Sequence, residues 1–220
     1  MLRVGKGIRI GFLLGIIFFV AGCALQLSQP QQVKLAPRLS LAPVKIGAGA
    51  KVYVTVADER GTNVLGYKTD SYIAGRGKIT TSDDLRAIYQ KALSDALANF
   101  DFNVLASPDP AAPNLEVSLV RFLYMGPGPN PYVVSKSYIT AAATARVRRQ
   151  AEALGGQNAA LVHEKSYEVY HHSRTVTQLF FVEPSPGEVE ERINAALSEL
   201  ISKLLLDMEL LTFLKATGLR

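Results

Sequence analysis

Apolar residues recur along this chain in three rhythms, and each predicts a different element. A period of two marks strands. Val52, Val54 and Val56 alternate with Tyr53 and Thr55, and the strand ends at Asp58-Glu59-Arg60-Gly61. A short strand fits Val64 to Tyr67 within a glycine-punctuated stretch. Leu115, Val117 and Leu119 alternate with Glu116 and Ser118, which predicts a strand over 114–124. Ile139, Ala141, Ala143, Ala145 and Val147 give a long strand with one small-residue face, against which a helix can pack closely. Gly155-Gly156-Gln157-Asn158 then turns the chain into a strand over about 160–171.

A period near 3.6 marks helices. Thr81-Ser82-Asp83-Asp84 opens one in the manner of a capping box. Leu85, Ile88, Tyr89, Ala92, Leu93, Ala96 and Leu97 form its apolar face, and it should stop near Phe100. Ser185-Pro186-Gly187-Glu188 opens a second, with Ser at the cap, Pro at the first position and Glu three after the Ser. This closing helix is predicted to run unbroken from about 187 to 214. Val189, Ile193, Ala196, Leu197, Leu200, Leu204, Met208 and Leu211 share a core-facing arc, with Asp207 inside it and one turn from Lys203. Leu206, Leu210 and Phe213 form a second stripe, to be buried by this domain or by a partner. The order β-α-β-β-β-α predicts an α+β fold, a single antiparallel-rich sheet with two helices on one face.

The third rhythm is an unbroken run. Ile10 to Val20 is apolar over about 11 residues and follows Arg3, Lys6 and Arg9. It is short of the roughly 20 residues that span a bilayer and suits a signal peptide. Ala21 and Gly22 follow, then Cys23, the only cysteine. Val20-Ala21-Gly22-Cys23 resembles the lipobox of bacterial lipoproteins, in which the cysteine is acylated and becomes the N-terminus. Ala24 stands where lipoproteins retained in the inner membrane usually carry Asp. The resemblance therefore implies the outer membrane, periplasmic face. The chain divides into a signal peptide (1–22), an acylated N-terminus and flexible tether (23–50), and one periplasmic domain (51–216). Pro30, Pro37 and Pro43 disfavour regular structure in the tether. As a coil of about 27 residues it would hold the domain roughly 30 Å from the anchor.

Charge adds little. The formal net charge is +5, but three of the 24 basic residues lie in the signal, leaving 21 against 19 acids. No concentrated basic footprint for nucleic acid remains. The local cluster Arg146, Arg148 and Arg149 projects its first two members from the face opposite Ala145 and Val147, toward solvent, an anionic headgroup or an acidic partner. With one cysteine and no disulfide, the domain must hold together by burial.

Catalytic motifs are incomplete. His163-Glu164-Lys165-Ser166-Tyr167 begins as a zinc-protease motif but has Tyr at the second ligand position, on a strand pattern rather than a helix. Gly75-Arg76-Gly77-Lys78-Ile79 departs from a phosphate loop at Tyr72 and Ile79. His163 and His171 share a strand face but lie roughly 26 Å apart. No cofactor or metal is implied. Asp58 and Arg60 make either a partner contact or an ion pair that fixes the strand exit.

The lipobox cysteine, Asp58-x-Arg60, Leu65-Gly66, Ile79-Thr80-Thr81-Ser82-x-Asp84-Leu85, Ala92-Leu93 and Leu97 occur in an order that resembles the YajG-type family of uncharacterised bacterial lipoproteins. The closing helix, with Asn194-Ala195, Leu200, Leu204, Asp207 and Phe213-Leu214, also fits. Asn99-Phe100-Asp101-Phe102 stands where that family tends to turn at Gly-Phe. The resemblance implies an outer-membrane lipoprotein and no activity. The expectation is a non-catalytic module that binds or supports another envelope component, anchored through Cys23, with a protein partner or a second copy. The alternatives are a small-ligand or glycan-binding lipoprotein and an envelope hydrolase.

Overall fold

The computed structural model describes residues 29–68, 77–127, 135–150, 159–175 and 184–219. The signal segment and Cys23 lie outside them. Eight strands and three helices follow in the order β1 (Gln31–Gln32), β2 (Lys51–Asp58), β3 (Val64–Tyr67), β4 (Lys78–Thr80), α1 (Leu85–Asn99), β5 (Asn103–Leu105), β6 (Asn114–Met125), β7 (Ser135–Gln150), β8 (Ala159–Thr175), α2 (Pro186–Leu205) and α3 (Met208–Gly218).

The fold is α+β with one sheet, as the sequence pattern predicts, but the sheet is mixed rather than antiparallel-rich. β6, β7 and β8 form the expected meander. β2, however, pairs in parallel with both β5 and β6. The physical reason is α1, which intervenes between β2 and β5–β6. A crossover helix returns the chain in its original direction, so the strand it feeds pairs in parallel.

β6 is the spine. Its first half pairs with β2 and its last two residues with β3, both along the same edge. A register shift between Leu119 and Arg121 marks the change of partner. Asp58 and Arg60 sit at this fork. The Arg60 guanidinium donates to both Asp58 carboxylate oxygens, at 2.8 and 2.7 Å, and to the Val64 carbonyl at 3.4 Å. Arg60 is only 5% exposed. The pair therefore fixes the strand exit. Gly66 explains itself at the same junction, because a Cβ there would overlap the Tyr124 carbonyl of the neighbouring strand.

The helices pack on one side of the sheet. Val54, Leu115, Val117, Ala141, Ala143, Val147 and Val169 project toward α1 and α2, where Leu93, Leu97, Ile193, Leu197 and Leu200 meet them in one core. The alanine row of β7 lets α2 approach closely, as its small side chains predict. Ser185 and Glu188 complete the predicted capping box, with the Glu188 N–H donating to the Ser185 hydroxyl at 3.3 Å and the Ser185 N–H to the Glu188 carboxylate at 2.7 Å. At α1 the cap is Asp84, whose carboxylate accepts from the Ala87 N–H at 3.1 Å, while Thr81 accepts from Asp83. The turn after α1 takes its positive φ at Asp101 (66°).

The predicted flexible tether needs correction in its described part. Residues 31–38 lie as an extended strap across α2. Val33 and Leu35 are buried in the core. The N–H groups of Lys34, Ala36 and Arg38 donate to the side chains of Glu190, Asn194 and Ser198, at 2.9, 2.7 and 2.9 Å. Two strand residues advance about 6.6 Å and four helical residues about 6.0 Å, so a spacing of four on the helix reads every second amide. Asn194 also donates to the Lys34 carbonyl at 3.0 Å, and Leu35 N–H reaches Asp83 at 2.7 Å.

Candidate functional site

The closing helix breaks at Leu206–Asp207, and this break decides the fate of the predicted second stripe. Asp207 is the N-cap of α3, accepting from the N–H groups of Glu209 and Leu210 at 3.0 and 3.3 Å. The same carboxylate accepts from the Tyr167 hydroxyl at 2.8 Å and pairs with Lys165 at 2.7 Å. Its side chain is 8% exposed. Burial alone would raise this carboxyl, but the bonds from Lys165, Tyr167 and the Leu210 N–H outweigh it and hold the pKa at about 2. Burial, then the bond to Asp207, push the Tyr167 phenol up. Lys165 is held up by its bonds to Asp207 and Glu209. Asp207 therefore pairs with Lys165 rather than Lys203. Lys203 instead reaches Glu199 and the Glu168 carbonyl.

Changing helix axis at the break also redirects the side chains. Leu210 is fully buried, Leu206 is 63% exposed, and Met208, expected in the core arc, is exposed beside it. Phe213 packs partly against the core and stacks on His163 at 5.7 Å. The stripe Leu206-Leu210-Phe213 is thus not one surface, and Leu210 belongs to the core.

Arg146 and Arg148 lie on the helix-free side of the sheet, as predicted, but each already has an acidic neighbour. Arg146 donates to Glu164 across the β7–β8 pair at 2.9 Å, and Arg148 to Glu116 across β6–β7 at 2.7 Å. Thr144 and Ser166 bond between them at 3.1 Å. Arg121 and Glu168 continue the pattern, and Tyr170 stands 61% exposed with its ring 6.1 Å from that of His172. The result is a broad, charge-alternating sheet face with no helix over it among the described residues.

On the helix side, near the open end of β7–β8, a small hollow of about 230 Å³ lies among Tyr124, Ser137, Ile139, His171 and Arg192. Arg192 donates to the Ser137 hydroxyl at 2.6 Å, and His171 pairs with Glu199. Larger troughs of about 380 and 590 Å³ flank the strap and are lined in part by it. Among the described residues no group of three or more His, Cys, Asp or Glu is placed to hold a metal. No described helix is long and apolar enough to cross a membrane.

A domain with this architecture has recognisable relatives. Residues 37–215 match a family model described as uncharacterised lipoprotein. The chain belongs to that family, which places it at a membrane of the cell envelope. No curated protein matches it. Among solved structures it is similar to protein XCC0632 from Xanthomonas campestris, at 11% identity and TM-score 0.49, over 86% of this chain and 95% of that one. It is similar to a protein named as a lipoprotein from Caulobacter crescentus, at 18% identity and TM-score 0.39, over 74% and 90%. It is also similar to a homologue of neuraminyllactose-binding hemagglutinin from Helicobacter pylori, at 7% identity and TM-score 0.48, over 84% and 97%. These scores carry no argument about function.

Proposed function

We propose that this lipoprotein is a non-catalytic binding module, anchored through acylated Cys23 on the periplasmic face of the outer membrane, whose helix-free sheet face docks a protein of the envelope. The observation that carries this reading is the uncovered face itself. Strands of 12, 16 and 17 residues present it, whereas the 20-residue α2 covers only the other side. Alternating Glu116, Arg148, Arg146 and Glu164 give it a charge register that suits specificity more than raw affinity. The buried carboxylate of Asp207 is saturated by four donors from within the domain, the N–H groups of Glu209 and Leu210, the Tyr167 hydroxyl and Lys165. That supports structure over catalysis.

The small-ligand alternative has less support. The hollow beside Arg192 is smaller than the roughly 300 Å³ at which drug-sized ligand sites begin, and the larger troughs are part of the strap's own seat.

A photoreactive residue at Ser166 or Tyr170, in intact cells, should capture a protein partner that the same residue at Asp95, on the exposed side of α1, does not. Equal capture from both sites would sink the assignment of this face. Cys23→Ser should abolish palmitate labelling and free the domain from the membrane fraction. A Cys23→Ser chain that resists carbonate extraction would refute the anchor.

A further inference from the structure

The strap has a geometric consequence for where the domain stands. Gln31 is the first residue tied into the sheet, pairing with Ile79. It lies only eight positions after Cys23. Fully extended, eight residues reach about 26–29 Å. A free tether ending at residue 50 would reach several times further.

The pairing register then says which end of the domain that short leash holds. One cross-strand row runs through Gln31, Ile79, Gly66, Tyr124, Ile139 and His171. β1 runs from Gln31 to Gln32 alongside Ile79 to Thr80, away from the end where β6 finishes and β7 begins. The described chain therefore enters β1 from that end. β7 and β8 project four residues past the row, to Ser135 and Thr175, or about 13 Å. The opposite end, where Asn103 pairs with Lys51 on β2, lies more than ten residues along β6, over roughly 33 Å.

The leashed end presents Lys78 and Lys136, both exposed, with Tyr138 half-buried and His172 exposed beside it. Arg192 lies just behind on α2. Of the described acids nearby, Glu188 holds the Ser185 N–H, Glu199 holds His171, and Glu191 is exposed on α2. At the far end Lys51 pairs with Asp109 and Arg148 with Glu116, while Lys45 stands exposed and Arg149 half-buried.

We infer that the end of the domain bearing Lys78, Lys136, Tyr138 and His172 is seated on the lipid surface that holds Cys23. Lysines meet headgroup phosphates on an anionic surface, and tyrosine is favoured at the headgroup level. The helix-free sheet face then stands along the membrane normal and stays open to a partner in the periplasm. This inference rests on acylation of Cys23.

The chain contains no tryptophan, so one introduced indole is a unique reporter. His172→Trp marks the leashed end and Asn103→Trp the far end, both at exposed positions. Each acylated full chain is placed in vesicles of phosphatidylethanolamine and phosphatidylglycerol, part of the lipid carrying a headgroup nitroxide. Loss of emission from His172→Trp with little loss from Asn103→Trp is the expected result. Equal loss from both, or greater loss from Asn103→Trp, overturns the inference. Tyr138→Trp serves as a second reporter at the leashed end, with the same expectation. The mass of the N-terminal peptide is measured on the same samples. An unmodified Cys23 in protein that does not bind the vesicles refutes the anchored reading itself, whereas acylated protein with indifferent reporters refutes only the orientation.

Discussion

Asp207 shows how much one residue can hold in place. It caps α3, anchors the Tyr167 hydroxyl from the neighbouring strand and neutralises Lys165, all with one carboxylate. Its presence was legible in the sequence, but its role was not. Leu206 and Met208 are apolar on either side, so the helical period runs on through the break. The missed signal was the carboxylate within an apolar arc, since Asp is a strong N-cap and is costly to bury unless paired. Because its folded pKa is depressed from 3.8 to about 2, its contribution is fully present above pH ~4 and is lost as pH falls toward ~2. Asp58, lowered against its own burial by Arg60, acts in the same direction. Asp207→Asn keeps a capping side chain but removes the charge facing Lys165 and Tyr167. It should cost about 1–3 kcal/mol at pH 7 and should flatten the acid limb of a urea-midpoint profile between pH 4 and 2. An unchanged acid limb would show that the carboxylate is not the group being titrated.

At the scale of elements, the strands of the meander were legible because period two on β6, β7 and β8 coincides with one buried and one open face. The parallel pairs were not read, although a strand–helix–strand order over β2, α1 and β6 was already visible in the pattern. The strap was hidden because prolines at 30, 37 and 43 argue against regular structure. An extended segment bonded by helix side chains needs no regular ladder of its own. Its apolar alternation at Val33, Leu35 and Leu39 was the available signal. Leu35→Ala should therefore cost about 2–5 kcal/mol, as in a core, where a flexible tether would give no change in the unfolding midpoint. The helix break makes a paired prediction. Leu210→Glu places a charge in the core and should unfold the domain or lose more than about 4 kcal/mol. Leu206→Glu, at the break itself and exposed, should stay within about 0.5 kcal/mol of the parent. Equal tolerance at both positions would mean that α3 is not docked.

For the whole molecule, the strap turns a domain boundary into a structural question. A chain cut at Lys51 looks complete by its strands and helices, since β2 to α3 all lie within it. It lacks Val33 and Leu35 from the core, and it leaves the carboxylate of Glu190, the amide of Asn194 and the hydroxyl of Ser198 without the amides they hold. Burial of these two side chains favours the docked strap, as do the hydrogen bonds its amides donate to α2, and the entropy of ordering the strap opposes it. A soluble chain from Gln29 to Arg220 should thus unfold in one transition at a higher urea midpoint than a chain from Lys51 to Arg220. The shorter chain should also bind a hydrophobic dye at the exposed seat on α2. Supplying residues 29–42 as a separate peptide should return part of the lost midpoint, because the seat is shaped for that segment. Identical midpoints for the two chains, with no response to the peptide, would show that the strap rests on the domain without holding it, and would return residues 31–50 to the role of a free leash.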